Sequence, residues 1–345
     1  MERAIYVGDV FLLHKTPPGH PESPERVKAI LDLMKRTKLP NYVEVRSPVP
    51  IDERELELVH DRDYVEYVKR VIEAGGGYLD PDTYASPTSW EPALYAAGTV
   101  AYAAQRAVEG DHWLAFAAVR PPGHHARRSE GRGFCIFNNV ALAAEVLRRR
   151  GMRVAVVDID VHWGDGTAYI FYNTDEVLYV STHQDPRTLY PFEGFPSQKG
   201  SGKGEGYTVN VPLPPGTGDK GFLYALHEVV LPVLEAYLPQ ALLVSAGWDT
   251  HWLDPLASLE VTVDGHWEAV SSLASFAESL GIPIVIALEG GYVNWVVARS
   301  TLNSLGAAKE KFFGDEERVV DSVPEEEVEF YVEEAKRELR GYWPL

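Results

Sequence analysis

Five short apolar runs rich in β-branched residues recur along the chain, and segments of helical character separate them. The runs are residues 114–119, 154–157, 177–181, 241–245 and 282–288. The intervening segments 139–150, 222–237 and 266–280 are each long enough to form a crossover helix. Apolar strands that alternate with helices are typical of an α/β fold, in which an open, mostly parallel sheet carries helices on both faces.

A polar cluster follows four of the five runs. The clusters are Arg120-Pro121-Pro122-Gly123-His124-His125, Asp158-Ile159-Asp160-Val161-His162, Ala246-Gly247-Trp248-Asp249 and Glu289-Gly290-Gly291-Tyr292. In open α/β sheets, ligands bind at the carboxyl ends of the strands. We therefore expect four segments that are distant in sequence to converge on one site.

The segment after the 154–157 run contains two aspartates and a histidine at spacings of two. Residues two apart on an extended strand project to the same face, so Asp160 and His162 are predicted to bind one cation, with Asp158 one step behind. Asp249 is the natural third ligand, although it could instead cap the turn or helix that follows it. Such a site leaves positions open for water and substrate, which favours a metal-dependent hydrolase.

The adjacent histidines His124 and His125 follow a Pro-Pro-Gly turn. Beside metal-activated water, histidine is the preferred general base and acid near neutral pH. A histidine in that role needs a carboxylate on its other nitrogen, and Asp158 and Asp165 are available for this purpose. Tyr292 offers a phenolic donor that could stabilise an oxyanion.

Composition sets wider limits on the function. The 345 residues include 51 acidic and 32 basic ones, a formal net charge of −19 that disfavours direct binding of nucleic acid or anionic membranes and is compatible with cationic substrates. The single cysteine, Cys135, excludes a disulfide framework and a thiolate-rich zinc site. Residues 1–7 suggest neither a signal peptide nor a membrane anchor, so we expect a cytoplasmic protein.

No repeat or long linker divides the sequence, so a single domain over residues 1–345 is the simplest prediction. The glycine- and proline-rich segments 190–206 and 212–218 are predicted to be long surface loops that could form the rim of a pocket. A charged helix at about 320–340 is expected to be peripheral.

Taken together, these motifs resemble the zinc-dependent histone deacetylase superfamily, which includes the acetylpolyamine amidohydrolases and the acetoin-utilisation proteins. The matching stretches, in family order, are residues 19–26, 59–65, 120–126, 133–139, 158–167, 249–256 and 289–292. The sequences of the stretches 249–256 and 289–292 are more similar to the class II and prokaryotic branch than to class I. The resemblance implies an open, mostly parallel sheet of the arginase/deacetylase type.

The resemblance also implies a role for particular residues. The implied zinc ligands are Asp160, His162 and Asp249. The implied catalytic groups are His125 as general base and then acid with Asp165, His124 as electrostatic partner with Asp158, and Tyr292 on the acetyl carbonyl. The implied substrate tunnel comprises Gly133, Phe134, Tyr190 and Leu256, with Arg26 near an exit path for acetate. A structural K⁺ is implied at Asp158, Asp160, His162, Ser181 and Thr182.

The chain departs from the family pattern at two positions. Trp163 stands where a second histidine usually follows the ligand histidine, which puts local packing and water placement in doubt. Tyr190 stands where many members have phenylalanine, and its hydroxyl could narrow or polarise the tunnel. Both departures could alter substrate choice.

The leading hypothesis is hydrolysis of acetyl groups from the ε-amine of lysine or from polyamines. With no evident insertion, protein or broad acyl-lysine substrates are favoured over polyamines, and the oligomeric state stays open. The ion is expected to be Zn²⁺, although Fe²⁺ or Co²⁺ suits the same ligands. An arginase-like dimanganese enzyme would need another carboxylate where Trp163 and Gly164 stand. A protein that binds acylated ligands without cleaving them is the alternative from a different class.

Overall fold

The computed structural model describes residues 2–314 and 321–345, and a parallel sheet forms its centre. Within those residues the sheet has eight strands in the order β2-β1-β5-β10-β9-β6-β7-β8, and all neighbouring strands run parallel. Its strands are β1 (Arg3–Tyr6), β2 (Val43–Arg46), β5 (Leu114–Ala117), β6 (Val154–Asp158), β7 (Val177–Gln184), β8 (Thr208–Leu213), β9 (Ala241–Ala246) and β10 (Ile284–Leu288). The short strands β3 (Gly77–Tyr78) and β4 (Tyr84–Ala85) form a separate antiparallel pair.

Helices connect the strands and cover the sheet. They are α1 (Glu25–Arg36), α2 (Arg62–Glu73), α3 (Trp90–Val108), α4 (Asn139–Arg148), α5 (Asp165–Ile170), α6 (Asp219–Ala225), α7 (Leu231–Tyr237), α8 (Val263–Leu280), α9 (Asn294–Gly306) and α10 (Glu325–Leu339). Helix α3 packs against α4, and α9 packs against α1 and α8. Every residue of β6, β7, β9 and β10 is buried, as a sheet covered on both faces requires. No helix in the described residues is long and apolar enough to cross a membrane.

The five apolar runs correspond to β5, β6, β7, β9 and β10, which confirms the predicted fold class. Three further strands of the sheet escaped prediction. Strand β2 reads Val-Glu-Val-Arg and lies at one edge, where half of its residues are exposed. The prediction of a loop at 212–218 was wrong for Pro212 and Leu213, which end β8. Proline is tolerated there because β8 is the other edge strand.

The C-terminal helix packs against β8 and so covers that edge of the sheet. Helix α10 spans Glu325–Leu339, whereas residue 320 of the predicted helix lies outside the described residues. Its buried side chains are Val328, Val332, Ala335 and Leu339. Beyond the helix, the indole N–H of Trp343 donates to the carbonyl oxygen of Gly206 at 2.7 Å. Covering an edge strand in this way blocks pairing with another chain.

A buried ion-pair network joins the N-terminal segment to the loops after β5 and β10. Glu22 is fully buried; it accepts from Arg120 Nη2 at 2.7 Å and from Arg26 Nη1 at 3.0 Å. Arg120 Nη1 also donates to the Phe11 carbonyl at 2.8 Å, and Arg26 Nε donates to the Gly291 carbonyl at 2.6 Å. Burial by itself raises the pKa of Glu22, but Arg120 and His14 together outweigh burial and hold that pKa well below its usual range.

Replacing the central carboxylate should destabilise the fold. Glu22→Gln would leave the buried guanidinium groups of Arg26 and Arg120 without their counter-charge, so we expect the free energy of unfolding to fall by about 3–5 kcal/mol. Because the pKa of Glu22 is depressed in the folded state, this contribution is present at neutral pH and is lost as the pH falls through that pKa. Urea denaturation at pH 7 measures the change, with Glu73→Gln at the exposed end of α2 as the control. Equal midpoints for the two variants would contradict this role of Glu22.

Candidate active site

The Asp/His segment lies at the carboxyl edge of the sheet, directly after β6. Asp158 is the last residue of the strand, and residues 159–164 bend away from it. The alternation of an extended strand therefore does not place Asp160 and His162, contrary to the argument from spacing. Carboxylates hold the bends instead: Asp158 Oδ1 accepts from the Asp160 N–H at 3.2 Å, and Asp160 Oδ1 accepts from the His162 N–H at 2.8 Å.

Asp160, His162 and Asp249 converge although the chain separates them. His162 Nδ1 lies 3.1 Å from Asp160 Oδ1 and 3.2 Å from Asp249 Oδ2. One ligand atom from each of the three side chains lies within 4.8 Å of the others, and all three residues are buried. Asp249 Oδ1 also accepts from the backbone N–H of Val161 at 3.0 Å, which ties the loops after β6 and β9 together.

The three side chains fit a divalent cation. Two carboxylates that are buried side by side require a positive charge between them. Burial lowers the pKa of His162, but the carboxylates of Asp160 and Asp249 outweigh burial and raise that pKa to about 10. The backbone closes tightly on the site, since a Cβ at Gly247 or Gly290 would overlap Asp160 Oδ2. One imidazole nitrogen and two carboxylates form a ligand set that is typical of zinc and related ions.

Each of the adjacent histidines is hydrogen-bonded to its own aspartate. His124 Nδ1 lies 3.0 Å from Asp158 Oδ2, and His125 Nδ1 lies 2.7 Å from Asp165 Oδ1. The two imidazole centroids are 4.0 Å apart, and the ring of His125 is 5.9 Å from that of His162. Both histidines are therefore buried beside the cluster of Asp160, His162 and Asp249, with one nitrogen fixed by a carboxylate.

The two histidines differ in their electrostatic environments. Burial lowers the pKa of His124, but Asp160 and Asp158 outweigh burial and raise that pKa well above its usual value. Burial and the neighbouring His124 lower the pKa of His125 to about 4, although Asp165 opposes the shift. At neutral pH, His125 is thus the neutral imidazole that can accept a proton.

Two arginines that sequence reasoning missed contact Asp165. Arg127 Nε donates to Asp165 Oδ2 at 2.7 Å, and Arg132 Nη1 lies 3.3 Å from the same oxygen. Burial raises the pKa of Asp165, but His125 and the two arginines outweigh burial and lower it. The signal in the sequence was the basic segment that follows the His-His pair, which has no periodicity that would assign it a partner.

Glu289 is a second group whose role the sequence did not indicate. Its fully buried carboxylate accepts from the backbone N–H groups of Gly123 at 2.7 Å and His124 at 3.1 Å. The hydroxyl of Ser245 donates to the other oxygen at 3.1 Å. Burial raises the pKa of Glu289 to about 7. The glutamate therefore holds the histidine-bearing turn against the end of β10.

Tyr292 and Phe134 face each other beside the site. The Tyr292 ring is half-buried, with its centroid 5.8 Å from that of Phe134 in an edge-to-face arrangement. The guanidinium carbon of Arg26 lies 5.2 Å from the Tyr292 centroid. Burial and the carboxylate of Asp249 raise the pKa of Tyr292 well above its usual value, so the phenol remains a hydrogen-bond donor at neutral pH.

The remaining predicted tunnel residues are Tyr190, Gly133 and Leu256, and the first two lie against His125. The Tyr190 centroid is 5.1 Å from that of His125 and 6.5 Å from that of His162. Gly133 has a φ of +54°, and a Cβ there would overlap the His125 ring, so only glycine fits. Leu256 is half-buried after Asp249, and its backbone N–H donates to the Asp254 carboxylate at 3.0 Å.

Asp254 joins the Leu256 segment to the loop after β10. The second oxygen of this buried carboxylate accepts from the backbone N–H of Tyr292 at 2.8 Å. Burial and the neighbouring Asp249 raise the pKa of Asp254 to about 7. Sequence reasoning also missed this residue, which fixes the backbone at two predicted site positions.

Arg26 and the predicted potassium residues also lie near this edge. Arg26 donates to Glu22 and to the carbonyls of Glu289 and Gly291, so it braces the loop that carries Tyr292. Ser181 on β7 is paired in register with Asp158 on β6. The buried hydroxyl oxygen of Thr182 has no hydrogen-bond partner among the residues that the structure describes.

Trp163 is buried and packs against the 190–206 loop. Its indole N–H donates to Asn210 Oδ1 on β8 at 2.8 Å, and its ring meets that of Tyr169 edge to face at 5.6 Å. Gly194 lies against the indole so closely that a Cβ there would overlap it. The tryptophan thus anchors a loop to the edge strand.

Comparison with known proteins gives consistent results. The sequence profile of the histone deacetylase domain family matches residues 20–308. A probable deacetylase of Archaeoglobus fulgidus is 40% identical over 296 residues, which cover 85% of this chain and 82% of that protein. The histone deacetylase-like amidohydrolase of Pseudomonas aeruginosa is 37% identical over 277 residues, covering 79% and 73% of the two chains. The crystal structure of the HDA15 HD domain superposes with a TM-score of 0.88 at 33% identity, covering 99% of this chain and 95% of that one.

Two substitutions at Glu289 should separate its hydrogen bonding from its charge. Glu289→Ala leaves the N–H groups of Gly123 and His124 unsatisfied, so we expect it to lower the free energy of unfolding by about 2–3 kcal/mol. Glu289→Gln should be much milder, because its amide oxygen still accepts from both N–H groups and the Ser245 hydroxyl can accept from its NH₂ group. Denaturant titration of both variants measures the difference. Equal losses of stability would show that these hydrogen bonds do not hold the turn.

Proposed function

The chain belongs to the histone deacetylase family, and on that premise we propose that it is a metal-dependent amidohydrolase that removes acetyl groups from the ε-amine of lysine or from related acylated amines. The observation that carries the proposal is the position of the His125–Asp165 pair beside the Asp160–His162–Asp249 cluster. A proton acceptor and a cation-binding group then face the same space, as amide hydrolysis requires.

We propose that Asp160, His162 and Asp249 hold one ion, and that the ion is Zn²⁺; Fe²⁺ and Co²⁺ suit the same donors. When bound, such an ion supplies Lewis-acid chemistry: it polarises the amide carbonyl and lowers the pKa of water, so that the water loses a proton more readily and becomes a better nucleophile. A second ion would need a further carboxylate after His162. The sequence has Trp163 there, and its indole N–H donates to Asn210. Among the residues described, one cluster alone brings three such side chains together.

The proposed proton transfers involve His125. As the water oxygen bonds to the acetyl carbon, His125 accepts the proton that the water loses, while Asp165 stabilises the resulting imidazolium. The same proton then passes to the amine nitrogen as the C–N bond breaks, which gives acetic acid and the free amine. The acid's remaining proton ends on the amine, so the products at neutral pH are acetate and an ammonium group. The low pKa of His125 supports this assignment, because the base is unprotonated at the start.

Tyr292 and His124 have supporting roles in this proposal. Tyr292 donates a hydrogen bond to the oxygen of the acetyl carbonyl as negative charge develops on it. His124, held by Asp158, contributes positive charge beside the reacting groups, which is consistent with its raised pKa.

We propose that Gly133, Phe134, Tyr190 and Leu256 line the tunnel for the acylated side chain, with Arg26 beside the path by which acetate leaves. A structural K⁺ is proposed between β6 and β7, bound largely by backbone oxygens of Asp158, Asp160, His162, Ser181 and Thr182. The register of Ser181 with Asp158 and the unpartnered hydroxyl of Thr182, within the described residues, support that location.

We expect acetyl-lysine side chains to be better substrates than acetylpolyamines, because no insertion in the sequence would narrow the entrance to a polyamine. A product amine that becomes cationic is compatible with the net charge of −19. The single buried cysteine suits a reducing compartment, so the cytoplasm is the expected location.

The metal-loaded protein should release acetate from an acetyl-lysine peptide, and more slowly from acetylated putrescine, spermidine and cadaverine. Chelation should abolish turnover and Zn²⁺ should restore it, with about one ion bound per chain. Tyr292→Phe should lower kcat by about 10²–10³-fold, because the oxyanion loses its donor, while the bound metal is unchanged. Tyr67→Phe on the exposed face of α2 is the control.

Three results would overturn parts of this proposal. Binding of the acetylated peptide without release of acetate would favour an acyl-binding protein. A metal content near two ions per chain would favour a dinuclear centre. Full activity in Tyr292→Phe would remove the tyrosine from the mechanism.

A further inference from the structure

Arg132 lies between the predicted tunnel wall and the His125–Asp165 pair. Its Nε donates to the hydroxyl oxygen of Tyr190 at 2.8 Å, and its Nη1 lies 3.3 Å from Asp165 Oδ2. The guanidinium carbon is 5.4 Å from the Tyr190 ring centroid. One cation therefore contacts both the tyrosine that departs from the family pattern and the carboxylate that holds His125.

The backbone around Arg132 is fixed as firmly as its side chain. Its N–H donates to the Cys135 carbonyl at 3.0 Å, and the Cys135 N–H donates back to the Arg132 carbonyl at 2.9 Å. The enclosed residues, Gly133 and Phe134, have φ values of +54° and +69°. The short turn that contributes two tunnel residues thus also aims the guanidinium at the third, Tyr190.

The chemistry of arginine suits this position. A guanidinium presents several N–H donors in a rigid plane, so it can serve a phenol and a carboxylate at once, whereas an ammonium is a single point charge on a flexible stem. Asp165 does not depend on Arg132, because it also accepts from Arg127 Nε at 2.7 Å and is hydrogen-bonded to His125. Tyr190 has no other hydrogen bond to its hydroxyl among the described contacts. Loss of Arg132 should therefore disturb the position of Tyr190 more than that of Asp165.

We propose that Arg132 is a specificity-determining positioning residue that holds the Tyr190 ring against His125 and so sets the shape of the acyl-lysine tunnel. The proposal rests on the tunnel and the general base proposed above. It explains why the hydroxyl of Tyr190 is tolerated in a wall of the tunnel: the hydroxyl is paired with a guanidinium that is anchored on the opposite side by Asp165. Removing either partner should loosen the ring without changing the groups that carry out the chemistry.

A double-mutant cycle tests this proposal. Arg132→Gln should raise KM for an acetyl-lysine peptide about fivefold, because the phenol loses a charge-assisted hydrogen bond, and should change kcat by less than about twofold. Tyr190→Phe should raise KM by a similar factor, and the double variant should be no worse than either single one. Arg128→Gln is the matched control, since it removes the same charge from an exposed position in the same loop.

Two outcomes would overturn the proposal: an unchanged KM in Arg132→Gln, or an effect of Arg132→Gln that persists undiminished in the Tyr190→Phe background. If the second outcome were accompanied by a fall in kcat, it would mean that Arg132 acts through Asp165. The same cycle is measured as the Kd of a fluorescein-labelled acetyl-lysine peptide on metal-free protein, with thermal melts to verify folding. That readout needs no turnover, so failure of the wild-type chain to hydrolyse the peptide would count against the proposed function and leave the Arg132 cycle still interpretable.

Discussion

Negative charge buried at one edge of the sheet is the constraint on which the rest of the site depends. The fully buried carboxylates there are Asp158, Asp160, Asp165, Asp249 and Glu289. An uncompensated buried carboxylate costs several kcal/mol, so each must receive donors or a cation. Histidines, arginines and backbone N–H groups from four loops supply most of them, which fixes the loops relative to one another. Asp160 and Asp249 also accept from backbone N–H groups, but these two carboxylates share the single imidazole nitrogen His162 Nδ1, and we propose that a cation makes up this shortage of positive charge.

The sequence predicted the centre of the fold because strands buried on both faces must be continuously apolar. It did not predict edge strands such as β2, whose exposed side chains remove that signal. The residues of the site could be found because charged side chains directly follow apolar runs. The residues that hold the site residues in place could not be found from the sequence. Glu289 contacts Gly123 across 166 residues of sequence, and the pairing of Arg132 with Tyr190 depends on how two loops pack. Contacts of this kind have no periodicity in the sequence.

The two departures from the family pattern have a common physical outcome. At Trp163 and at Tyr190, an aromatic side chain brings a polar group into a half-buried or buried place, and each polar group has a partner. Asn210, the partner of Trp163, also donates to the carbonyls of Phe195 at 3.1 Å and Gln198 at 2.9 Å. The loop that begins at Tyr190 is thus held from beneath through Trp163 and at its start through Arg132. These two substitutions in the family pattern change how a loop is held, whereas the proposed metal ligands are retained.

The central claim is that Asp160, His162 and Asp249 together bind one catalytic ion. Crystals of the zinc-loaded protein, with anomalous diffraction recorded on both sides of the zinc absorption edge, test this claim most directly. The account predicts a single strong anomalous peak per chain, at about 2.0–2.2 Å from His162 Nδ1 and from one oxygen of each aspartate. Two peaks in the site, or a peak that lies away from these three side chains, would contradict it.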